Sequence, residues 1–222
     1  MLVVRRAVVG PFAMNAYLAG CDETGEALLI DPGAELPRVL ALREPGGFRV
    51  TRILLTHGHV DHAAGAAAAR AATGAPVTIH GGDDPLLAML PRQAALFGLE
   101  GVGPLVPDRH HADGEIVEVG HLAARVLHTP GHCPGSVCLH FASERLLFTG
   151  DTLFAGSVGR TDLPGGDAAA LARSIRERLF PLGDEVRFLP GHGPGGTIGE
   201  ERRTNPFVGE AAGHPGGARR PG

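Results

Sequence analysis

The chain has 222 residues, 43% of them apolar, and a formal net charge of −4. This fits one substantial domain and gives no general reason to expect nucleic acid or an anionic membrane as a partner. All 20 basic residues are arginine, and the three cysteines, Cys21, Cys133 and Cys138, are too few and too odd in number for a disulfide scaffold, which points to reduced thiols and a cytoplasmic setting.

Residues 2–9 and 14–21 read as two strands across a Gly10-Pro11 turn, and Met1–Val9 reaches that turn before any secretory apolar region develops. Residues 27–31 form a third strand, closed by Pro32-Gly33. Asp31 at its end is either a turn former or a carboxylate that backs a neighbouring site. An amphipathic helix over 35–43 stops at Pro45-Gly46-Gly47. The apolar run Ile53–Leu55 predicts a buried strand. It leads into Thr56-His57-Gly58-His59-Val60-Asp61-His62, with four potential metal ligands in six positions. The Ala-rich stretch Ala63–Ala72 then predicts a helix, because Ala has the highest helix propensity. His57, His59, Asp61 and His62 are therefore expected on a strand-to-helix loop. Asp61 alone suits a helix N-cap, but three His and one Asp this close call for a metal, which neutral imidazole binds.

Pro76–His80 predicts another strand, and 84–89 and 92–99 two short helices broken by Pro91. Residues 104–113 read as a surface loop carrying His110 and His111. A hairpin over 115–119 and 122–127 turns at Gly120-His121. The alternation of strands and helices is that of a layered α and β protein. Next, Leu127–Ser136 runs from a strand into a stiff Pro/Gly turn that presents His132. His128 reads as structural, and Cys133 is set aside because adjacent side chains diverge in an extended chain. A hairpin over 137–141 and 145–148 delivers Gly150-Asp151. A last strand over 186–189 closes on Pro190-Gly191-His192-Gly193-Pro194. Five His and two Asp at strand ends are too many for one zinc, which usually takes four ligands. They suit two divalent ions sharing a carboxylate, with zinc preferred and iron or manganese as alternatives.

The order His-Gly-His-Val-Asp-His (57–62), Pro-Gly-His (130–132), Gly-Asp (150–151) and Gly-His-Gly (191–193) resembles the metallo-β-lactamase superfamily over about residues 2–208. Leu-Ile-Asp-Pro-Gly (29–33), Val-Gly-Arg-Thr-Asp-Leu-Pro-Gly-Gly-Asp (158–167) and the Pro190–Phe207 ending are similar to short bacterial glyoxalase II-like (hydroxyacylglutathione hydrolase-like) enzymes. The resemblance implies an α+β fold, an αββα four-layer sandwich with the metal site at one edge. It implies His57, His59 and His132 on one metal, Asp61, His62 and His192 on the other, and Asp151 bridging. Two such metals hold a bridging hydroxide that attacks a carbonyl, and Asp61 has an added catalytic role in orienting it. The implied substrate is a thioester such as S-lactoylglutathione. Arg160 and Asp162 either contact an anionic substrate or brace their loop as an ion pair.

Three other readings remain open at this point: a mononuclear iron persulfide dioxygenase, a hydrolase of another substrate such as a lactone or β-lactam, and a non-catalytic scaffold. The grip that larger glyoxalase II enzymes place on glutathione with a C-terminal helical domain is expected to be absent or replaced here. The expected domain spans 1–208, the Gly/Pro-rich tail 209–222 is expected to be disordered, and the protein is expected to be a monomer or small homo-oligomer acting on a small molecule.

Overall fold

The computed structural model describes residues 1–210 and 212. Apart from 209, 210 and 212, the tail expected to be disordered lies outside the described residues. The first sheet is built in chain order from β1 (Leu2–Val9), β2 (Met14–Cys21), β3 (Glu26–Ile30), β4 (Arg49–Leu54), β5 (Val77–His80) and β6 (Arg109–His111). Its first three strands pair antiparallel, and β3 through β6 run parallel. The second sheet starts with β7 (Ile116–Val119), β8 (Leu122–His128), β9 (Val137–Phe141) and β10 (Leu146–Gly150). After a small ribbon of β11 (Leu153–Phe154) and β12 (Ser157–Val158), it is completed by β13 (Arg187–Pro190) and β14 (Gly196–Thr197). Here β13 pairs parallel with β10 and antiparallel with β14.

The strand period of two divides the apolar residues into three layers. Leu28, Ile30 and Leu54 point between the sheets, where they meet Val126, Leu139, Phe141 and Phe148. The alternate residues Leu29, Ile53 and Leu55 face outward, under α1 (Leu36–Leu40), α2 (Val60–Ala63), α3 (Ala66–Thr73) and the pair α4 (Asp84–Ala88) and α5 (Leu90–Leu96). On the far side, Leu127, Leu147 and Phe188 pack under α6 (Ala168–Arg173) and α7 (Ile198–Thr204). These three apolar layers between four structural ones are the αββα sandwich. Each fully buried Leu, Ile or Phe contributes roughly 1.5–3 kcal/mol to holding it.

The sheets are joined at one edge. Asn15 N–H donates to the Gly191 carbonyl at 2.7 Å, Tyr17 Oη–H to the Pro190 carbonyl at 2.8 Å, and Val137 N–H to the Thr56 carbonyl at 2.9 Å. The carboxyl ends of β4, β10 and β13 all open at that edge, and with them the motif-bearing turns.

Local elements depart from the sequence reading in four places. Asp61 and His62 lie in the helical turn α2, not on the loop. The Ala-rich helix splits there because Gly65 passes so near β3 that a Cβ would stand 1.8 Å from the Pro32 carbonyl oxygen. Pro91 starts α5 instead of breaking a helix, since proline is tolerated in the first turn. Residues 104–113 include β6, and its His111 is buried. Finally, the sequence reading leaves 163–185 without an element; the chain there forms α6, capped by the Asp167 side chain, and continues as a wider π-type turn over Ser174–Leu179.

Candidate metal centre

The site grows from Asp31 and Thr56 outward. Asp31 ends its strand with φ +49°, a conformation that Asp tolerates better than most residues. Its carboxylate accepts Thr56 N–H at 2.8 Å, Thr56 Oγ1–H at 2.7 Å and His62 Nδ1–H at 2.9 Å. Because the Thr56 hydroxyl proton goes to Asp31, its oxygen accepts from His57 Nδ1–H at 3.1 Å. His132 gives its Nδ1–H to the Arg160 carbonyl at 2.8 Å, and His192 gives its own to the Phe12 carbonyl at 3.0 Å. In their neutral form four imidazoles thus carry the proton on Nδ1, with Nε2 turned to a common space.

Around that space the structure brings together all seven side chains singled out from the sequence. His57 Nε2 stands 3.3 Å from His132 Nε2, which is 2.9 Å from His59 Nδ1. His192 Nε2 lies 3.1 Å from Asp61 Oδ2, and His62 Nε2 lies 3.7 Å from the same atom. Asp151 stands between the groups. Its Oδ1 is 3.4 Å from His62 Nε2, while its Oδ2 is 3.6 Å from His192 Nε2 and 3.8 Å from His132 Nε2. Glycine makes this approach possible: a Cβ on Gly191 would stand 2.3 Å from Asp151 Oδ1 and 2.5 Å from His62 Cε1.

Two observations test whether these residues fit metal ions. Bare imidazole nitrogens at 3.3 Å repel one another unless a cation lies between them. Buried polar atoms also normally find partners, yet His62 Nε2 and Asp151 Oδ1 have none. A His and carboxylate donor set of this kind suits borderline divalent ions.

The electrostatics agree. Burial, then the neighbouring histidines, hold His57 well below the ordinary imidazole range. Burial and His132 bring His59 to about 4. Burial also lowers His132. For Asp61 and Asp151 burial acts upward, but His62 and the other histidines outweigh it and keep both carboxyls below their usual range. His62 and His192 are raised, since the carboxylates around them overcome burial. Without a metal, His62 and His192 draw protons beside the carboxylates, while His57, His59 and His132 resist them.

Other residues hold this arrangement. Cys133 Sγ is 3.5 Å from His59 Nε2, so the backbone does not carry this side chain away from its neighbour as an extended chain would. Burial pushes the thiol well above its ordinary range, and its sulfur stands with His57, His59 and His132 in one group of potential metal donors. Asp83, fully buried, accepts Gly58 N–H at 2.9 Å and Gly135 N–H at 2.6 Å. It ties the loop of His57 and His59 to the loop of His132. Arg160 and Asp162 form a bidentate pair at 2.7 Å, both largely exposed. Arg160 also lines a cleft of about 780 Å³ above the seven residues. His110 and His111 lie away from it, His110 being paired with Asp84.

Residues 9–192 match the family model described as metallo-beta-lactamase superfamily. The chain is 40% identical over 204 residues to hydroxyacylglutathione hydrolase GloC of Haemophilus influenzae, covering 90% of this chain and 95% of that one. It is similar to TTHA1623, solved in a di-iron-bound form, with 43% identity, a TM-score of 0.84 and 92% and 100% of the two chains covered. The BLEG-1 B3 metallo-beta-lactamase is similar too, with 35% identity, a TM-score of 0.85 and 93% and 99% covered.

Proposed function

The chain belongs to the metallo-β-lactamase superfamily, and we propose that it is a dinuclear metal-dependent hydrolase of thioesters such as S-lactoylglutathione. The observation that carries this reading is Asp151, whose carboxylate faces both groups, Oδ2 toward His132 of one, Oδ1 toward His62 and Oδ2 toward His192 of the other. A carboxylate so placed suits two ions, one held by His57, His59 and His132 and one by Asp61, His62 and His192. Zinc fits these donors, and the di-iron form of TTHA1623 makes iron an equal contender. When bound, the two ions supply Lewis acidity and an activated water at neutral pH.

The chain's own groups do the remaining work. Asp31, Thr56 and the carbonyls of Phe12 and Arg160 fix the neutral tautomer of four imidazoles, with the proton on Nδ1 and Nε2 left to a metal. Asp61 borders the cleft as an ionised carboxylate able to orient a water. Outside the seven residues, the polar groups lining the cleft are Arg92, Gln93, Ser157 and Arg160. None is an ordinary general acid. A thiolate leaves without one, which favours thioesters over esters and amides. The three cysteines are free and buried, in keeping with a reducing, cytoplasmic setting.

The test is hydrolysis of S-lactoylglutathione by the metal-loaded protein, followed as loss of thioester absorbance. Turnover that a chelator abolishes and divalent ions restore supports the reading. One iron per chain, oxygen uptake on glutathione persulfide and no thioester cleavage would assign the dioxygenase instead.

A further inference from the structure

The cleft above the seven residues is unequal in its polarity. Its inner walls are half-buried apolar side chains: Phe12 and Leu86 from the half of the fold built on the first sheet, Phe154, Val158 and Leu163 from the half built on the second. Met89, Leu96 and Phe97 extend the first wall outward and are among the few large apolar side chains left exposed. Phe97 is held in place by edge-to-face contact with Phe12, with ring centroids 4.8 Å apart. Gln93 has no N–H left to donate to a ligand. Its Oε1 accepts Val60 N–H at 3.0 Å, and its Nε2 donates to the carbonyls of Leu86 at 2.9 Å and Gly58 at 3.3 Å. Ser157 is then the one uncharged polar side chain left to donate to a bound group. The two arginines, Arg92 and Arg160, are exposed at the rim. Arg160 is matched by Asp162, and Arg92 has no ion-pair partner among the described residues.

Resting on the thioesterase reading, we infer that the preferred substrate carries an apolar acyl chain, of roughly four to eight carbons or an aromatic equivalent, on a thiol that bears a carboxylate. The acyl chain lies between Leu86 and Phe154, where it removes apolar surface from water. A small hydroxyacyl group would leave these walls wet and find little for its hydroxyl. The thiol portion reaches the rim, and its carboxylate meets Arg92, a guanidinium that geometry and charge suit to that partner. Hydrolysis transfers the acyl carbon from sulfur to a water oxygen. It releases the carboxylate and the free thiol, and no oxidant or reductant is consumed.

The experiment is a chain-length series of acylglutathiones, acetyl through octanoyl, run beside S-lactoylglutathione on the metal-loaded protein. kcat/KM is expected to rise with each methylene, by up to about fourfold per step where burial is complete. Leu86→Asn and Phe154→Asn should flatten the rise, and thermal melts of both variants report whether they remain folded. Arg92→Ala should raise KM for acylglutathiones but leave KM unchanged for the same acyl groups on N-acetylcysteamine, which has no carboxylate. A flat or falling series with lactoyl the best substrate would overturn the acyl inference and leave the thioesterase intact. No cleavage of any member would overturn both. Equal effects of Arg92→Ala on charged and neutral thiols would remove the rim contact.

Discussion

Two groups of histidines in this molecule look alike in the sequence and differ in what they can do. His80, His110 and His128 lie together near the ends of β5, β6 and β8. The rings of His80 and His128 stack with centroids 4.0 Å apart. His128 Nε2 donates to the Pro134 carbonyl at 2.8 Å, His80 Nδ1 accepts Gly82 N–H at 3.2 Å, and His110 Nε2 pairs with Asp84 at 2.9 Å. Each has a partner already. In the other group, His57, His62, His132 and His192 pass Nδ1–H to outer acceptors and aim their Nε2 atoms at a shared space that also holds two carboxylates. A metal site is therefore a matter of where the unsatisfied lone pairs point, and the number of histidines says little.

That contrast can be broken by mutation. The largest expected effect is for Asp151→Ala and His59→Ala, which should lower turnover by about a thousandfold, or roughly 4 kcal/mol, and reduce bound metal. His110→Ala should leave metal content unchanged. A drop in metal with His110→Ala, or full turnover with Asp151→Ala, would erase the distinction. Asp31→Ala removes the acceptor that orients His62. Loss of such an outer partner costs about 10–100-fold in metal affinity, readable by competition against a chromogenic chelator. Asp83→Ala leaves two buried N–H groups without an acceptor, at about 1–3 kcal/mol each, and should shift the urea midpoint downward. An unchanged midpoint would mean the two loops hold their spacing without Asp83.

Proton titration sharpens the same contrast. His59 and His111 are both lowered to about 4, chiefly by burial. Their folded values lie below the unfolded value near 6.5, so the unfolded chain takes up protons first. Their contribution is full above 6.5 and lost as pH falls toward 4. His62 is raised, so its contribution is full below 6.5 and fades as pH climbs through its folded value. In the metal-stripped protein, histidine ring NMR should find His59 and His111 neutral at pH 5.5 and His62 still protonated at pH 7. A neutral His62 at pH 7 would contradict the carboxylate environment described. The smallest effect is expected at Arg160→Ala. The exposed pair with Asp162 adds little to stability, so the melting temperature should hardly move. A raised KM would then identify Arg160 as a substrate contact rather than a brace for its loop.

Much of this was readable in the sequence because the site sits on turns. Strand, then Gly or Pro, then His or Asp is a local pattern, and it recurs at 56–62, 130–132, 150–151 and 190–193. β1 and β2 were legible as two largely apolar runs on either side of a Gly-Pro turn. What could not be read depends on distant partners. Asp83 looks like one more helix-leading acid until Gly58 and Gly135 are folded against it. Cys133 reaches His59 only because its turn is tight. β6 is three residues long and exists because β5 offers it an edge, too short a run to carry a periodic signal. The split of the Ala-rich helix comes from Pro32 pressing on Gly65, which propensity does not register.

The central claim is that two ions are held and both are needed. It is tested most directly by adding metal stepwise to the stripped protein while following thioester hydrolysis and bound metal on the same sample. Binding should saturate at two equivalents per chain, with most of the turnover appearing with the second. Full turnover at one equivalent, with no gain from a second, would contradict it.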